Sequence, residues 1–243
     1  RVQHRAKQTA PPAAAGTKAP AAAPNTASSD AAAPFAVEKR AENAELLRVA
    51  QRRLEAAGPD NSAAVQEVAV YQSLDSVLAQ QEVVQQQIKE FTTRHTELET
   101  AAQAAKIDPA QNSTLPTFAD LDRLKDEMAT EEARARLVED KLTTTKASLE
   151  TAQQAFNDSE RVRRQAEEAA EANKDQPNAA QTAGAMEQAR QAAKLAGETL
   201  ALRKLQLTRD ELARNVQKSA VAVYENRIAH ISPLVIFSQA DYD

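Results

Sequence analysis

Apolar residues recur every seven positions over long stretches of this chain. In the longest stretch the repeat places apolar side chains at Leu121, Met128, Ala135, Leu142, Leu149 and Phe156, with a companion row at Leu124, Val138, Ala152 and Ala166. An α-helix has about 3.6 residues per turn, so a seven-residue repeat keeps one stripe of side chains facing a partner helix. The spacing therefore predicts a long helix packed in a coiled coil.

The preceding stretch carries the same repeat in two rows. One row holds Val70, Val77, Val84, Phe91, Leu98 and Ala105, and the other holds Leu74, Gln81, Ile88, His95 and Ala102. The two rows alternate in steps of four and three residues, which is the spacing of a coiled-coil seam. We therefore expect a second long helix with one face against a partner.

The last long stretch has two apolar stripes. The first is Met186, Ala193, Leu200, Leu207, Val221 and Ile228, and the second is Leu195, Leu202, Leu205, Leu212, Val216 and Val223. Two stripes imply contacts on two sides, so this helix is expected to lie between others. The polar turn at residues 174–178 is short, which predicts that the two helices it joins pair antiparallel as a hairpin.

Prolines divide the chain, because a proline inside a helix costs about 3 kcal/mol. Between them the sequence predicts helices at about 35–57, 62–105, 117–173 and 182–231, and the start of a further helix at 238. Gly58 and Pro59 mark the end of the first helix, and Ser62 is a candidate cap for the second. Thr117 with Asp120 fits a capping box at the start of the third helix. Residues 1–34 are rich in Ala and Pro without periodicity, so they are interpreted as a disordered linker before a helical coiled-coil domain at 35–243.

Composition supports an all-α fold. Aromatic residues are 3% of the chain, Trp is absent and Gly occurs 4 times, which suits narrow helix–helix seams and excludes Gly-rich phosphate loops. The third helix alone would be roughly 85 Å long at 1.5 Å per residue. We therefore predict an elongated coiled-coil bundle of antiparallel helical hairpins.

Catalytic, cofactor and metal sites are not predicted. The chain has 0 Cys and 3 His, and His4, His95 and His230 lie too far apart in sequence for a zinc motif. His95 falls on the seam and is interpreted as a packing or solvated residue. The acidic pairs Glu131-Glu132 and Glu167-Glu168 are interpreted as solvated helix faces rather than cation ligands or acid–base groups. An enzyme function is accordingly not expected.

Other short patterns have equally plain interpretations. Arg161, Arg163 and Arg164 could contact phosphate, but the neighbouring acids favour pairing along the helix surface. Residues 112–114 fit a glycosylation acceptor, a weak three-residue pattern. A net charge of −5 with both signs interspersed argues against nucleic acid as a partner. No apolar run reaches the ~20 residues of a membrane-spanning helix.

The C-terminal stretch resembles a known family. A Leu-rich helix at 200–207 leads into Tyr224-Glu-Asn-Arg227 and then Ile231-Ser-Pro-Leu-Val-Ile-Phe-Ser-Gln-Ala-Asp241. This order is similar to the periplasmic coiled-coil region, often called the porin domain, of large bacterial mechanosensitive channels of the small-conductance superfamily. The resemblance covers roughly residues 35–243, and the pore-lining helix of that family has no counterpart in this sequence.

The resemblance implies a non-catalytic scaffold or tension-coupling domain in the periplasm, belonging to a bacterial inner-membrane channel. Because the chain starts at Arg1, we expect a processed fragment whose signal peptide and membrane segments lie outside it. The implied partners are protein helices and, in the full-length protein, further copies of the same chain. The alternative is a free-standing coiled-coil adaptor or tether that binds protein partners in the cell envelope.

Overall fold

The computed structural model of the chain describes residues 32–107 and 116–235. These form four long helices, α1 (Ala32–Ala57), α2 (Ser62–Ile107), α3 (Phe118–Ala172) and α4 (Ala179–Ile231), followed by a 3₁₀ turn at Ser232–Leu234. The described part of the chain contains no strand. The prediction of an all-α bundle of helical hairpins is confirmed.

The helix bounds differ from the sequence-based bounds at several ends. α1 begins at Ala32, so it includes residues 32–34 that the sequence interpretation assigned to the linker. Pro34 lies in the first turn of α1, where its missing N–H removes no intrahelical hydrogen bond. α4 begins at Ala179, three residues before the predicted start. The remainder of the predicted linker and the predicted helix start at 238 lie outside the described residues.

Local hydrogen bonds explain where the helices end. Gly58 has φ +85° and its N–H donates to the Leu54 carbonyl over 2.9 Å, which closes α1 in the left-handed conformation that glycine adopts without strain. At the start of α2, the side-chain oxygen of Asn61 accepts from the Ala64 N–H over 3.1 Å. The cap of α2 is therefore Asn61, and the expectation that Ser62 caps it is wrong. The capping box of Thr117 and Asp120 is present at the start of α3.

Contacts between the helices define their directions. Thr145 and Glu167 of α3 bond to Asp210 and Arg190 of α4 respectively, so α3 and α4 run antiparallel. By contrast, α2 and α4 run parallel: Gln66 contacts Gln188 near one end, and Asn226 bonds to the Ala102 carbonyl near the other. α1 runs antiparallel to α2.

α4 is the central helix of the bundle. It packs against both α2 and α3, while α2 and α3 contact α4 far more than each other. Its two apolar stripes are nine residues apart, for example at Ala193 and Leu202, which places them half a turn apart on opposite sides of the helix. At 53 residues α4 is about 80 Å long. The prediction that this helix lies between others is confirmed by its packing.

The buried side chains form two clusters along α2. One cluster, closed by α1, contains Ala50, Val68, Tyr71, Leu74 and Leu78. The other joins Val84 and Ile88 of α2 to Leu202 of α4. In α3, which packs mainly on α4, only Leu121, Leu142 and Ala152 of the predicted rows are buried, and the other members are half-buried.

Candidate functional site

The most deeply buried charged group of the described chain lies in the middle of the bundle. Asp210 of α4 is 1% exposed, and it accepts hydrogen bonds from the Thr145 hydroxyl over 2.7 Å and from the Arg209 guanidinium over 2.7 Å. Lys141 Nζ lies 3.3 Å from the same carboxylate. A buried carboxylate is tolerated only when donors surround it. The seam between α3 and α4 therefore carries a specific polar contact rather than apolar packing alone.

Arg209 extends this cluster to a third helix. Its side chain is 14% exposed, and one guanidinium N–H donates to Gln87 Oε1 of α2 over 3.3 Å. Arg209 and Asp210 are neighbours in sequence and lie about 100° apart around α4. Arg209 therefore reaches α2 while Asp210 bonds to α3. We call Gln87, Lys141, Thr145, Arg209 and Asp210 the central polar cluster. It connects the three longest helices at one level of the bundle.

A second polar group connects α1, α2 and α4. Glu198 of α4 accepts from Lys39 of α1 over 2.6 Å and from Gln81 Nε2 of α2 over 3.1 Å. The same Gln81 amide also donates to the Glu198 backbone carbonyl over 2.9 Å, and Gln81 is 4% exposed. α1 therefore docks with a directed contact in addition to its apolar residues.

Buried Asn43 adds a directed contact between α1 and α2. Its side-chain amide donates to the Tyr71 carbonyl over 3.0 Å, and Asn43 is 1% exposed. Outside the core, Arg40 pairs with Asp75 and Glu82 of α2. α1 is thus attached to α2 by both a buried amide and a surface ion-pair network.

Two arginines of the basic cluster on α3, Arg161 and Arg163, pair with acidic side chains. Arg163 pairs with Glu160 and Glu167 on its own helix, and Arg190 of α4 donates to Glu167 over 3.0 Å. Arg161 pairs with Asp158. These bonds lower the pKa of Glu160, through Arg163, and the pKa of Glu167, through Arg190 first and Arg163 second. This pairing agrees with the interpretation that these arginines pair with neighbouring acids along the helix surface.

The other candidate residues are dispersed. Glu131 pairs with Arg134 one turn away, Glu132 is half-buried, and Glu168 is exposed. His95 remains half-buried on the seam, with Nδ1 3.7 Å from Glu99. His4 and the glycosylation pattern at 112–114 lie outside the described residues. The fold therefore does not gather these residues into one site.

A polar groove lies between α2 and α3, with α4 as its floor. It has a volume of about 470 Å³ and is lined by three arginines, Arg94, Arg134 and Arg227, together with Tyr224. Arg94 and Arg134 are paired with Glu97 and Glu131, which line the same groove. The groove is open to solvent, and two of its three arginines form ion pairs with glutamates of the same groove.

Neither the described residues nor comparison with known proteins points to a metal site, a membrane span or a family. Within 32–107 and 116–235, no cluster of three or more His, Cys, Asp or Glu side chains could hold a metal ion. The helices described here include none long and apolar enough to cross a membrane. No protein-family model, no curated protein and no solved structure was found to match the chain. The geometry therefore defines a class of protein, an elongated helical bundle whose helices are connected by buried polar contacts, but it does not define a family.

The seven-residue repeat places Gln81 on the seam but does not identify Glu198, Arg209 or Asp210 as partners across it. One sequence feature marks Arg209: it occupies the seven-residue row of Leu195, Leu202, Val216 and Val223, where an apolar residue is expected. The partners of these residues are distant in the chain, Thr145 and Asp210 being 65 positions apart. Spacing alone cannot pair them.

Proposed function

We propose that this chain is a non-catalytic helical scaffold domain that bears or transmits load along its length. The supporting observation is the position of α4, which spans about 80 Å between α2 and α3 and is bonded to both through polar residues. A helix held on two sides resists bending and axial displacement better than a helix packed on one side only. This geometry suits a spacer or a lever more than a binding pocket.

More specifically, we propose that the domain lies in the periplasm as part of a bacterial mechanosensitive channel of the inner membrane. The support for this step is the C-terminal resemblance, because comparison with known proteins gave no match. In this proposal α4 transmits load through the 3₁₀ turn at Ser232–Leu234 and Val235 to the following residues. Leu234 is 38% exposed, so it contributes little to closing the bundle end and is open to a neighbouring segment.

A pressure-clamp experiment on the full-length protein tests this proposal. Residues 234–237 are replaced by Gly/Ser, because a flexible linker would dissipate tension as chain entropy. The matched control replaces the α3–α4 turn at 174–178 by Gly/Ser, at the opposite end of α4. We expect a changed tension threshold in patch-clamp recordings for the first replacement alone. An unchanged threshold in a correctly inserted and folded protein would contradict load transmission through this end.

The exposed side of α3 favours the second candidate function, a coiled-coil adaptor. Leu137 and Val162 are 69% and 51% exposed, on a helix that packs mainly against α4. An adaptor would use such a face to bind a helix of a partner protein. The downstream coding sequence separates the two functions: several apolar spans of ~20 residues favour the channel, and an early stop codon favours the adaptor.

A further inference from the structure

The seam between the parallel helices α2 and α4 contains two polar residues in rows that are otherwise mostly apolar. On α4, Arg209 stands in the row of Leu195, Leu202, Val216 and Val223. On α2, Gln81 stands between Leu74 and Ile88, and all three are buried. In coiled coils, a single polar residue at a seam position specifies register at a cost in stability.

The apolar residues of this seam do not define one register by themselves. A shift of α2 by one seven-residue repeat, about 10 Å along the axis, again places Val and Leu side chains against Val and Leu. The covalent chain also permits such a shift. Ten residues separate Ile107 from Phe118, and ten residues can span up to about 33 Å. By contrast, the six residues between α3 and α4 hold that antiparallel pair closely.

The polar residues distinguish the observed register from both neighbouring ones. Gln81 donates to Glu198 twice, and Arg209 donates to Gln87. A shift of one repeat in one direction would bring Arg209 opposite Arg94, where like charges repel. A shift in the other direction would bring Gln81 opposite Leu205, where its buried amide would lose the carboxylate that accepts from it in the observed register.

We infer that Gln81 and Arg209 set the axial register of α2 relative to α4. Because Arg209 also donates to Asp210, and Asp210 accepts from Thr145, the same residues align α3 with this pair. Because Glu198 also accepts from Lys39, α1 follows the same register. This assignment concerns the assembly of the bundle and holds for a channel domain and for an adaptor alike.

The test removes the polar seam residues and measures axial position directly. The variant carries Gln81→Leu and Arg209→Leu, and Asp210→Asn is included so that no buried carboxylate is left without its arginine. Replacing a buried polar pair by apolar residues is often neutral or stabilising, so the helices are expected to remain folded. Circular dichroism and a thermal melt check this.

Register is measured by distances between spin labels. The chain has 0 Cys, so Ser73→Cys with Lys218→Cys gives two defined labelling sites, exposed on α2 and α4. Their axial separation is about 35 Å in the observed register, and a shift of one repeat changes it by about 10 Å in either direction. Ser73→Cys with Thr96→Cys is the matched control, because both labels then lie on α2 about 35 Å apart.

In the otherwise unchanged protein, we expect each label pair to give a single distance. In the triple variant, the α2–α4 pair should show additional or displaced distances about 10 Å away, while the control pair stays unchanged. A single undisplaced α2–α4 distance in the folded triple variant would overturn the inference. Loss of helicity would overturn it as well, because the polar residues would then be required for folding itself and not for the choice of register.

Discussion

The Thr145 hydroxyl of α3 donates to the Asp210 carboxylate of α4 over 2.7 Å, at a point where Asp210 is 1% exposed. Two helices that meet mainly through Ala and Leu are thereby joined by a charge-assisted hydrogen bond. Such bonds are shorter and stronger than those between neutral groups. Removal of one partner leaves the other buried without its bond, so the contact is expected to be energetically sensitive.

Asp210→Ala should lower the free energy of unfolding by about 3–5 kcal/mol, because Arg209 and Thr145 lose a buried acceptor. In a double-mutant cycle with Thr145→Val, measured by urea unfolding, the two changes should couple by about 0.5–3 kcal/mol. The control is Asp175→Ala in the exposed turn, with an effect within about 0.5 kcal/mol. Additive effects of the Asp210 and Thr145 substitutions would show that this bond does not stabilise the seam.

Leu142→Asp should destabilise the bundle far more than Gln154→Asp. Leu142 is 1% exposed in the α3 seam, whereas Gln154 is exposed on the same helix. Truncation of a buried leucine alone costs about 2–5 kcal/mol, and the carboxylate adds a desolvation cost. Thermal melts followed by circular dichroism compare the two. Equal melting temperatures would mean that the α3 register described above is incorrect.

Two glycine substitutions should have opposite effects. Gly58 ends α1 with φ +85°, so Gly58→Ala is strained although no atom obstructs the new methyl group, and it should cost about 1–2 kcal/mol. Gly184 lies in the interior of α4 with equally open space around it, so Gly184→Ala should stabilise by about 0.5–1 kcal/mol. Chemical denaturation measures both. A stabilising Gly58→Ala would contradict the helix end described here.

Stability should fall in acid because of Glu160 and Glu167, whose pKa values are lowered by Arg163 and Arg190. A lowered pKa in the folded state means that the unfolded chain binds more protons in this range, so stability rises with pH there. The contribution is complete above the ordinary glutamate pKa of 4.5 and is lost as the pH falls through the folded values.

Urea midpoints of the wild-type protein and of Arg163→Gln, each measured at pH 7 and pH 3, test this dependence. The variant should lose less stability between the two pH values, because the ionised glutamates no longer have that partner. Arg136→Gln on the exposed surface of α3 is the matched control and should follow the wild-type profile. An equal loss in all three proteins would show that the Arg163 pairs do not contribute.

The sequence alone was sufficient for the helices, the short α3–α4 hairpin and most of the seam residues. A seven-residue repeat has only one helical interpretation, and a short turn between two long helices leaves only antiparallel pairing. The rows through Leu142 in α3 and through Ile88 in α2 therefore coincide with buried or half-buried positions in the structure.

The tertiary structure decided which helix covers each face and which polar groups meet. In the part of α2 beside α1, Tyr71 and Leu78 are buried while Val70 and Val77 are only half-buried, because a second helix packs on that side. Asp210 bonds to Thr145, and Gln81 bonds to Glu198, although these partners are 65 and 117 positions apart in the sequence. Periodicity shows that a face is covered, but the identity of the covering residues depends on axial register, which only the assembled helices define.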